Sequence, residues 1–309
     1  LQHYSLRLIE KTPAPYKFAL RNFLFNTFSP LFYETEPYIN WHSAIVYFDQ
    51  NRSSQIQLID LQKISPLNNQ NPKKIAIQAH IFYQDLAGEL ASLLSKFPVP
   101  FDLLISTPHT EAEGLLRSQF QGIRHLQNLQ ILITPNRGRD LGPMLYGFGK
   151  QLLEYDYFAH VHTKKSTNSN DIGNAWRKYL VQGLLDSSND RTQKILGLLE
   201  RYGLVYPQKF PLIDVQNCQW GDNLPAANRL CAAINIPSPD PGYIEFPAGS
   251  MFWAKTAALK PLLEHPFALG DFEIEAGQTD RTIMHSIERS LTHICLAQGY
   301  PVALLRNPS

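Results

Sequence analysis

The chain is poor in cysteine. It has three, Cys218, Cys231 and Cys295, an odd number with no C-x-x-C pair. A disulfide scaffold and a thiolate zinc site are therefore not expected. Ordinary buried thiols in a reducing compartment fit best. Long apolar runs are missing as well: none approaches the ~20 residues that cross a bilayer. The opening Leu1-Gln2-His3-Tyr4-Ser5 lacks the basic-then-apolar pattern of a signal peptide. There is no excess of one charge either. The net charge is +1, so no global positive field exists to hold nucleic acid, and no nucleic-acid partner is expected. The first residue is not methionine, which reads as a segment of a longer polypeptide. What remains is a chain of 309 residues, 44% hydrophobic and 18% charged, apolar enough for a sizeable core and long enough for one large domain.

Residues 1–72 differ from the rest. The stretch 16–28 is aromatic and weakly basic, which fits a short helix that docks on the main body or lies on a membrane surface. Residues 43–48 look like a strand, and Gln55-Ile56-Gln57-Leu58-Ile59 alternates like one. The polar, proline-flanked stretch 66–74 reads as a linker. A boundary there separates an N-terminal extension, 1–72, from an α/β domain, 73–309. From Lys73 the pattern alternates. Strands are expected at 75–82, 101–107, 129–134 and 157–162, with helices at 85–94, 111–120 and 142–153 between them. Such alternation predicts a mostly parallel sheet flanked by helices, with the strand carboxyl ends along one rim. Ligands of open α/β sheets bind at that rim.

The strand ends carry chemistry. His80, Tyr83 and Asp85 follow the first; Ser106, Thr107 and His109 follow the second. The third leads into Asn136-Arg137-Gly138-Arg139-Asp140-Leu141-Gly142-Pro143, a turn opening a helix. Backbone amides at a helix start and two guanidinium forks suit a phosphate or diphosphate, with Asp140 capping the helix or fixing an arginine; a capped turn with solvated arginines is the alternative. The fourth strand ends His160-Val161-His162-Thr163-Lys164-Lys165. His160 and His162 share a strand face, where they could ligate a metal or donate to an anion. Farther on, Gly249 and Ser250 would let a ligand approach the backbone. Met251, Phe252 and Trp253 wall a sugar or base, or else form a core strand. Residues 281–296 read as a helix with Thr279 as N-cap, on which His285, Glu288 and Arg289 share a face. Glu275 and Asp280 precede it, as general base or as capping and ion-pairing groups.

These motifs, with Tyr155-Asp156-Tyr157-Phe158, Trp176-Arg177, Pro247-Ala248-Gly249-Ser250-Met251-Phe252-Trp253 and Glu275-Ala276-Gly277-Gln278, resemble in order the rhamnan synthesis protein F family, over roughly residues 73–300. The resemblance implies a Rossmann-like α/β fold similar to the A-type glycosyltransferases. It also implies transfer of a sugar, L-rhamnose or a related deoxysugar, from a nucleotide diphosphate donor to a bacterial cell-surface polysaccharide such as O-antigen or cell-wall glycan. The implied partners are dTDP-rhamnose and a saccharide or lipid-linked acceptor. The implied location is the cytoplasm or the cytoplasmic face of the inner membrane, with peripheral membrane contact.

A-type enzymes hold a divalent metal, Mn or Mg, on an Asp-x-Asp. Here the matching strand ends in His160-Val161-His162, so no metal ligand is assigned. Lys164, Lys165, Arg137 and Arg139 are expected to neutralise the diphosphate, with His80, Asn136, Asp140, His160, His162 and Thr163 around them. Glu275, then Asp280, then His285 are the candidates for the base. Trp176, Arg177, Gly249, Ser250, Met251, Trp253, Glu288 and Arg289 are candidates for the acceptor side. Two other classes compete. One is a non-catalytic saccharide- or nucleotide-binding module of a larger assembly protein, catalysis having gone with the Asp-x-Asp. The other is a phosphate-transfer or hydrolytic enzyme, disfavoured because the chain has neither a P-loop nor a carboxylate cluster for two metals.

Overall fold

The computed structural model describes residues 2–51, 55–66, 73–163, 170–211, 213, 218–278 and 280–306. Three helices come first, α1 (Gln2–Lys11), α2 (Ala14–Thr27) and α3 (Glu36–Asn51), then β1 (Ile56–Ile59). The body follows as β2 (Ile75–His80), α4 (Ala87–Leu94), β3 (Phe101–Thr107), α5 (Glu113–Phe120) and β4 (Leu126–Ile133). One π-helical turn at Pro143–Gly147 leads into α6 (Phe148–Leu152) and β5 (Tyr157–His162). Next are α7 (Asn170–Leu185), α8 (Arg191–Leu198), β6 (Leu204–Pro207), α9 (Leu224–Ala233) and β7 (Phe252–Lys255). The chain continues through α10 (Lys260–Glu264), α11 (Ile283–Ala297) and β8 (Val302–Leu305).

Eight strands make one sheet in the order β1-β8-β6-β7-β5-β2-β3-β4, with β7 antiparallel to its neighbours and every other pairing parallel. This is the expected mostly parallel α/β fold with a helical N-terminal extension. Every residue of β2 and β3 is buried, which is why both read as near-continuous apolar runs. Ile75, Ile77 and Ala79 face one layer, packed with Leu90, Leu116 and Leu184 of α4, α5 and α7. Ala76 and Phe158 face the other, with Phe148, Leu262 and Leu291 of α6, α10 and α11. β3 lies on one side of β2 and β5 on the other. The strand order therefore reverses at β2, and a crevice opens at the carboxyl ends there.

Several expectations are corrected. Residues 43–48 lie within α3: Trp41 and Ala44, three apart, are buried while Ile45 is exposed, a helical spacing that a short apolar run hides. The third strand begins at Leu126. The helix expected from Gly142 opens as a π turn. The last helix begins at Ile283, capped by Thr282, whose hydroxyl accepts from the His285 amide; Thr279 lies outside the described residues. β1 precedes the linker yet pairs in register with β8, Ile56 beside Val302, so the sheet draws a strand from the N-terminal segment. Among the described residues no helix is long and apolar enough to cross a membrane.

Candidate functional site

The strand register assembles a polar cluster at the reversal point. Gln78 lies beside His160, and His80 lies beside both His162 and Ser106. Alternation along β2 and β5 turns Gln78, His80, His160 and His162 to one face. The hydrogen bonds fix their protons. Gln78 Nε2 donates to Ser106 Oγ at 3.2 Å, so Gln78 Oε1 accepts from His160 Nδ1 at 2.5 Å. The other ring nitrogen, His160 Nε2, faces Asp140 Oδ2 at 3.1 Å. Both nitrogens thus face acceptors, and the buried His160 ring is held between Gln78 and Asp140. Burial alone would raise the Asp140 carboxyl. The His162, His160 and His80 rings overcome it and hold Asp140 far below the usual carboxylate range. His80 is different. Its Nδ1 lies 2.9 Å from Ser106 Oγ. Burial first, and then the neighbouring imidazoles against the pull of Asp140, push it down to about 3, so it is a neutral donor.

Above this cluster lies a cavity of about 630 Å³. His80, Asn136, Asp140, His162 and Thr163 line its floor, and Phe82, Tyr83, Trp176 and Phe246 give it an aromatic wall. Thr163 Oγ1 accepts from the Phe82 and Tyr83 amides, both at 2.9 Å, and so ties the end of β5 to that of β2. His162 Nε2 donates to the Gly249 carbonyl at 2.8 Å, and the Gly249 amide donates to Glu288 at 2.7 Å. Gly249 has φ +94°, and a Cβ there would sit 2.7 Å from Leu180. Only glycine fits this turn between β5 and α11.

The far side is built around Arg139. The preceding Gly138 has φ +77°, and a Cβ there would meet Gly142 and Phe272 at 2.8 Å. Arg139 itself adopts a left-handed φ of +49° and reaches across the cavity mouth. Its Nε and Nη2 donate to Glu275 at 2.7 and 3.2 Å, and Nη2 also donates to the Gln278 carbonyl. Its Nη1 lies 3.4 Å from His285 Nε2. The bond to Glu275 raises Arg139 further. Burial pulls Glu275 up, but Arg139 and the Gly277 amide hold it below its ordinary value. His285 Nδ1 donates to Thr282 Oγ1 at 2.6 Å, which leaves the Nε2 lone pair toward Arg139 and the cavity. Burial pushes His285 down against the pull of Glu288, with Arg139 and Arg289 adding to the fall. It is neutral at pH 7.

Of the residues picked out by sequence, His80, Asn136, Arg139, Asp140, His162, Thr163, Trp176, Gly249, Ser250, Glu275, His285, Glu288 and Arg289 come together around the cavity. Others do not line it. Arg137 donates to the Phe272 carbonyl at 2.6 Å. His160 lies wholly buried beneath the floor. Arg177 pairs with Glu89 at 2.6 Å. Met251 and Trp253 are core residues, Trp253 stacked on Phe97. Asp280 accepts from Asn223 at 2.5 Å. Lys164 and Lys165 lie outside the described residues. Sequence reasoning missed Phe82 and Met284 as lining residues, because nothing in their spacing separates them from core. The residues do not fit the divalent metal of A-type enzymes. Asp140 is taken up by imidazoles, and among the described residues no group of three or more His, Cys, Asp or Glu is placed to hold an ion.

Fold and site together define an α/β protein with a ligand cavity at the topological switch point of its sheet. Within that class the sequence is more particular: the rhamnan synthesis protein F family matches residues 41–300, and the chain belongs to that family. The match begins before the motifs at residue 73 and takes in β1. The chain is also similar to the uncharacterized protein WxcX of two strains of Xanthomonas campestris pv. campestris, 32% identical to each over 213 residues. That alignment covers 68% of this chain and 30% of the relative, so the chain corresponds to only part of the curated relatives it matches.

Proposed function

We propose that this chain is a glycosyltransferase domain acting in bacterial polysaccharide synthesis, and that it moves a deoxysugar, L-rhamnose foremost, from a nucleotide diphosphate donor to a saccharide acceptor. The observation that carries this reading is the cavity over the carboxyl ends of β2 and β5 in a rhamnan synthesis family member. Its floor offers the His80 and His162 rings and Asn136 beside the Asp140 carboxylate, its wall is aromatic, and Arg139 and a neutral imidazole stand at the mouth.

The reaction needs two things from the protein: stabilisation of charge on the departing diphosphate, and removal of the acceptor's hydroxyl proton. Arg139 supplies the first when the diphosphate takes the place of Glu275 and the Gln278 carbonyl on its guanidinium, with the His80 and His162 rings and Asn136 beside it. His285 supplies the second. Glu275, bound twice by Arg139, is a poor base as it stands, whereas His285 keeps a lone pair at Nε2. As the acceptor oxygen bonds the anomeric carbon, the bond from that carbon to the diphosphate oxygen breaks. The acceptor proton passes to His285 Nε2, and the nucleoside diphosphate leaves carrying the electron pair. The aromatic wall of Tyr83, Trp176 and Phe246 packs on the base or sugar. No step runs through a metal.

The test is turnover. With dTDP-rhamnose and a rhamnose-containing oligosaccharide acceptor, in EDTA, the chain is expected to release dTDP in step with acceptor elongation. Turnover that EDTA abolishes and Mn²⁺ or Mg²⁺ restores would overturn the metal-free step. Tight donor binding without turnover with any saccharide acceptor would make the chain a binding module.

A further inference from the structure

The N-terminal helices carry a surface that the cavity does not explain. Of the eleven large hydrophobic side chains exposed among the described residues, all but Leu115 and Ile274 lie in residues 2–45. On α1, Tyr4, Arg7, Leu8 and Lys11 are all exposed, and they fall at positions i, i+3, i+4 and i+7. Together they make one helix face. The opposite face packs inward: Ile9 is buried, and Leu6 packs beside it against Phe25, Phe32 and Trp41. On α2, Tyr16 and Phe23 are exposed seven residues apart, and Phe28 sets its ring edge-on to Phe23 at 6.3 Å. The exposed α1 face therefore mixes aromatic, aliphatic and cationic groups and contains no acid. Glu10, the one acidic residue in residues 2–27, projects off that face.

These helices are not a loose tail. They share an aromatic core of their own. α3 also fixes them to the body: the Tyr243 hydroxyl donates to the Asn40 carbonyl at 2.6 Å, and Ala44 is buried in a cluster with Trp220 and Phe246. Phe246 is also part of the cavity wall. Whatever the exposed face binds is thus held at a fixed place relative to the cavity.

We propose that α1 and α2 dock this domain on an anionic phospholipid surface. Such a surface presents negative headgroups above an apolar layer, which is the pairing that Arg7 and Lys11 make with Tyr4 and Leu8. No described helix can span a bilayer, so the contact is interfacial. A second copy of the chain is a poorer occupant. In a two-fold contact this face would meet itself and set Arg7 and Lys11 against their own like charges. The inference is independent of the transfer reaction proposed above.

The test is flotation of the full chain with vesicles of phosphatidylcholine alone or with about 30 mol% phosphatidylglycerol, an anionic fraction that gives a negative surface potential. The protein is expected to float with the anionic vesicles, to stay behind with the neutral ones, and to release as salt is raised. R7Q with K11Q should weaken partitioning by roughly thirty-fold, on the scale of two basic residues at a charged surface. Y4S with L8S should weaken it as well. All four positions are exposed, so melting temperatures should stay at the wild-type value, and nucleotide binding should be untouched. No flotation with anionic vesicles, or variants that float as wild type does, would overturn the proposal. A vesicle-independent dimer lost in the same variants would also overturn it and give the face to a second copy.

Discussion

Replacing His285 with asparagine is expected to slow sugar transfer by about 10²–10⁴-fold, the usual contribution of a positioned general base, with nucleotide affinity little changed. Asparagine can keep the hydrogen bond that His285 Nδ1 makes to Thr282, so the helix start should survive. What it cannot do is take a proton at the position of Nε2. The pH profile carries the same claim. The base must be deprotonated to act, and burial holds His285 below its ordinary 6.5. The acid limb of kcat/KM should therefore lie below pH 6.5 and vanish in His285→Asn. Glu275→Gln separates the two candidates. It removes the charge that steers Arg139 and should change KM for the donor more than kcat. If instead it abolishes transfer while His285→Asn turns over normally, the base is Glu275.

The second large effect is expected on stability. Asp140→Asn removes the buried carboxylate that the His160 ring faces at 3.1 Å and the His162 ring at 3.8 Å. Removing one partner of a buried ion pair typically costs about 3–5 kcal/mol, and about 3 kcal/mol is expected here because the amide oxygen can still accept from His160 Nε2. Urea denaturation measures it. The pH dependence has a definite sign. Asp140 is held below its unfolded value, so its contribution is complete above that value, near 3.9, and fades as pH falls through the folded one. The gap between wild type and Asp140→Asn should be full at pH 7 and shrink below about pH 4. A difference under about 1 kcal/mol at pH 7, the scale of an exposed pair, would mean that Asp140 only caps the turn.

The sequence made the body of the sheet legible for a physical reason. β2, β3 and β5 are buried on both faces, so each shows as an apolar run bounded by polar residues, and alternation with helices implies a parallel sheet. α3 was not legible, because an Ala-Ile-Val run fits a helix or a strand and only packing of Ala44 against Trp220 and Phe246 decides. The site was half legible. Strand ends named His80, Arg139, Asp140 and His162 from local pattern alone. The pairings that give them their chemistry are not local. Gln78 meets His160, 82 residues on, because β2 and β5 are neighbours, and Arg139 meets Glu275 136 residues on. The same distances explain Trp253. Its strand lies between β5 and β6, so a side chain read as a sugar platform becomes core.

The claim on which the rest depends is that the cavity binds a nucleoside diphosphate through protein cations. Calorimetric titration of the chain with dTDP, UDP, GDP and CDP in EDTA tests it most directly. One nucleotide, dTDP on this account, should bind in the micromolar range, about −8 kcal/mol. Arg139→Ala should weaken it at least ten-fold, because a charge-assisted two-pronged donor is lost. Absence of binding by all four in EDTA, or binding that Arg139→Ala leaves unchanged, would contradict the account.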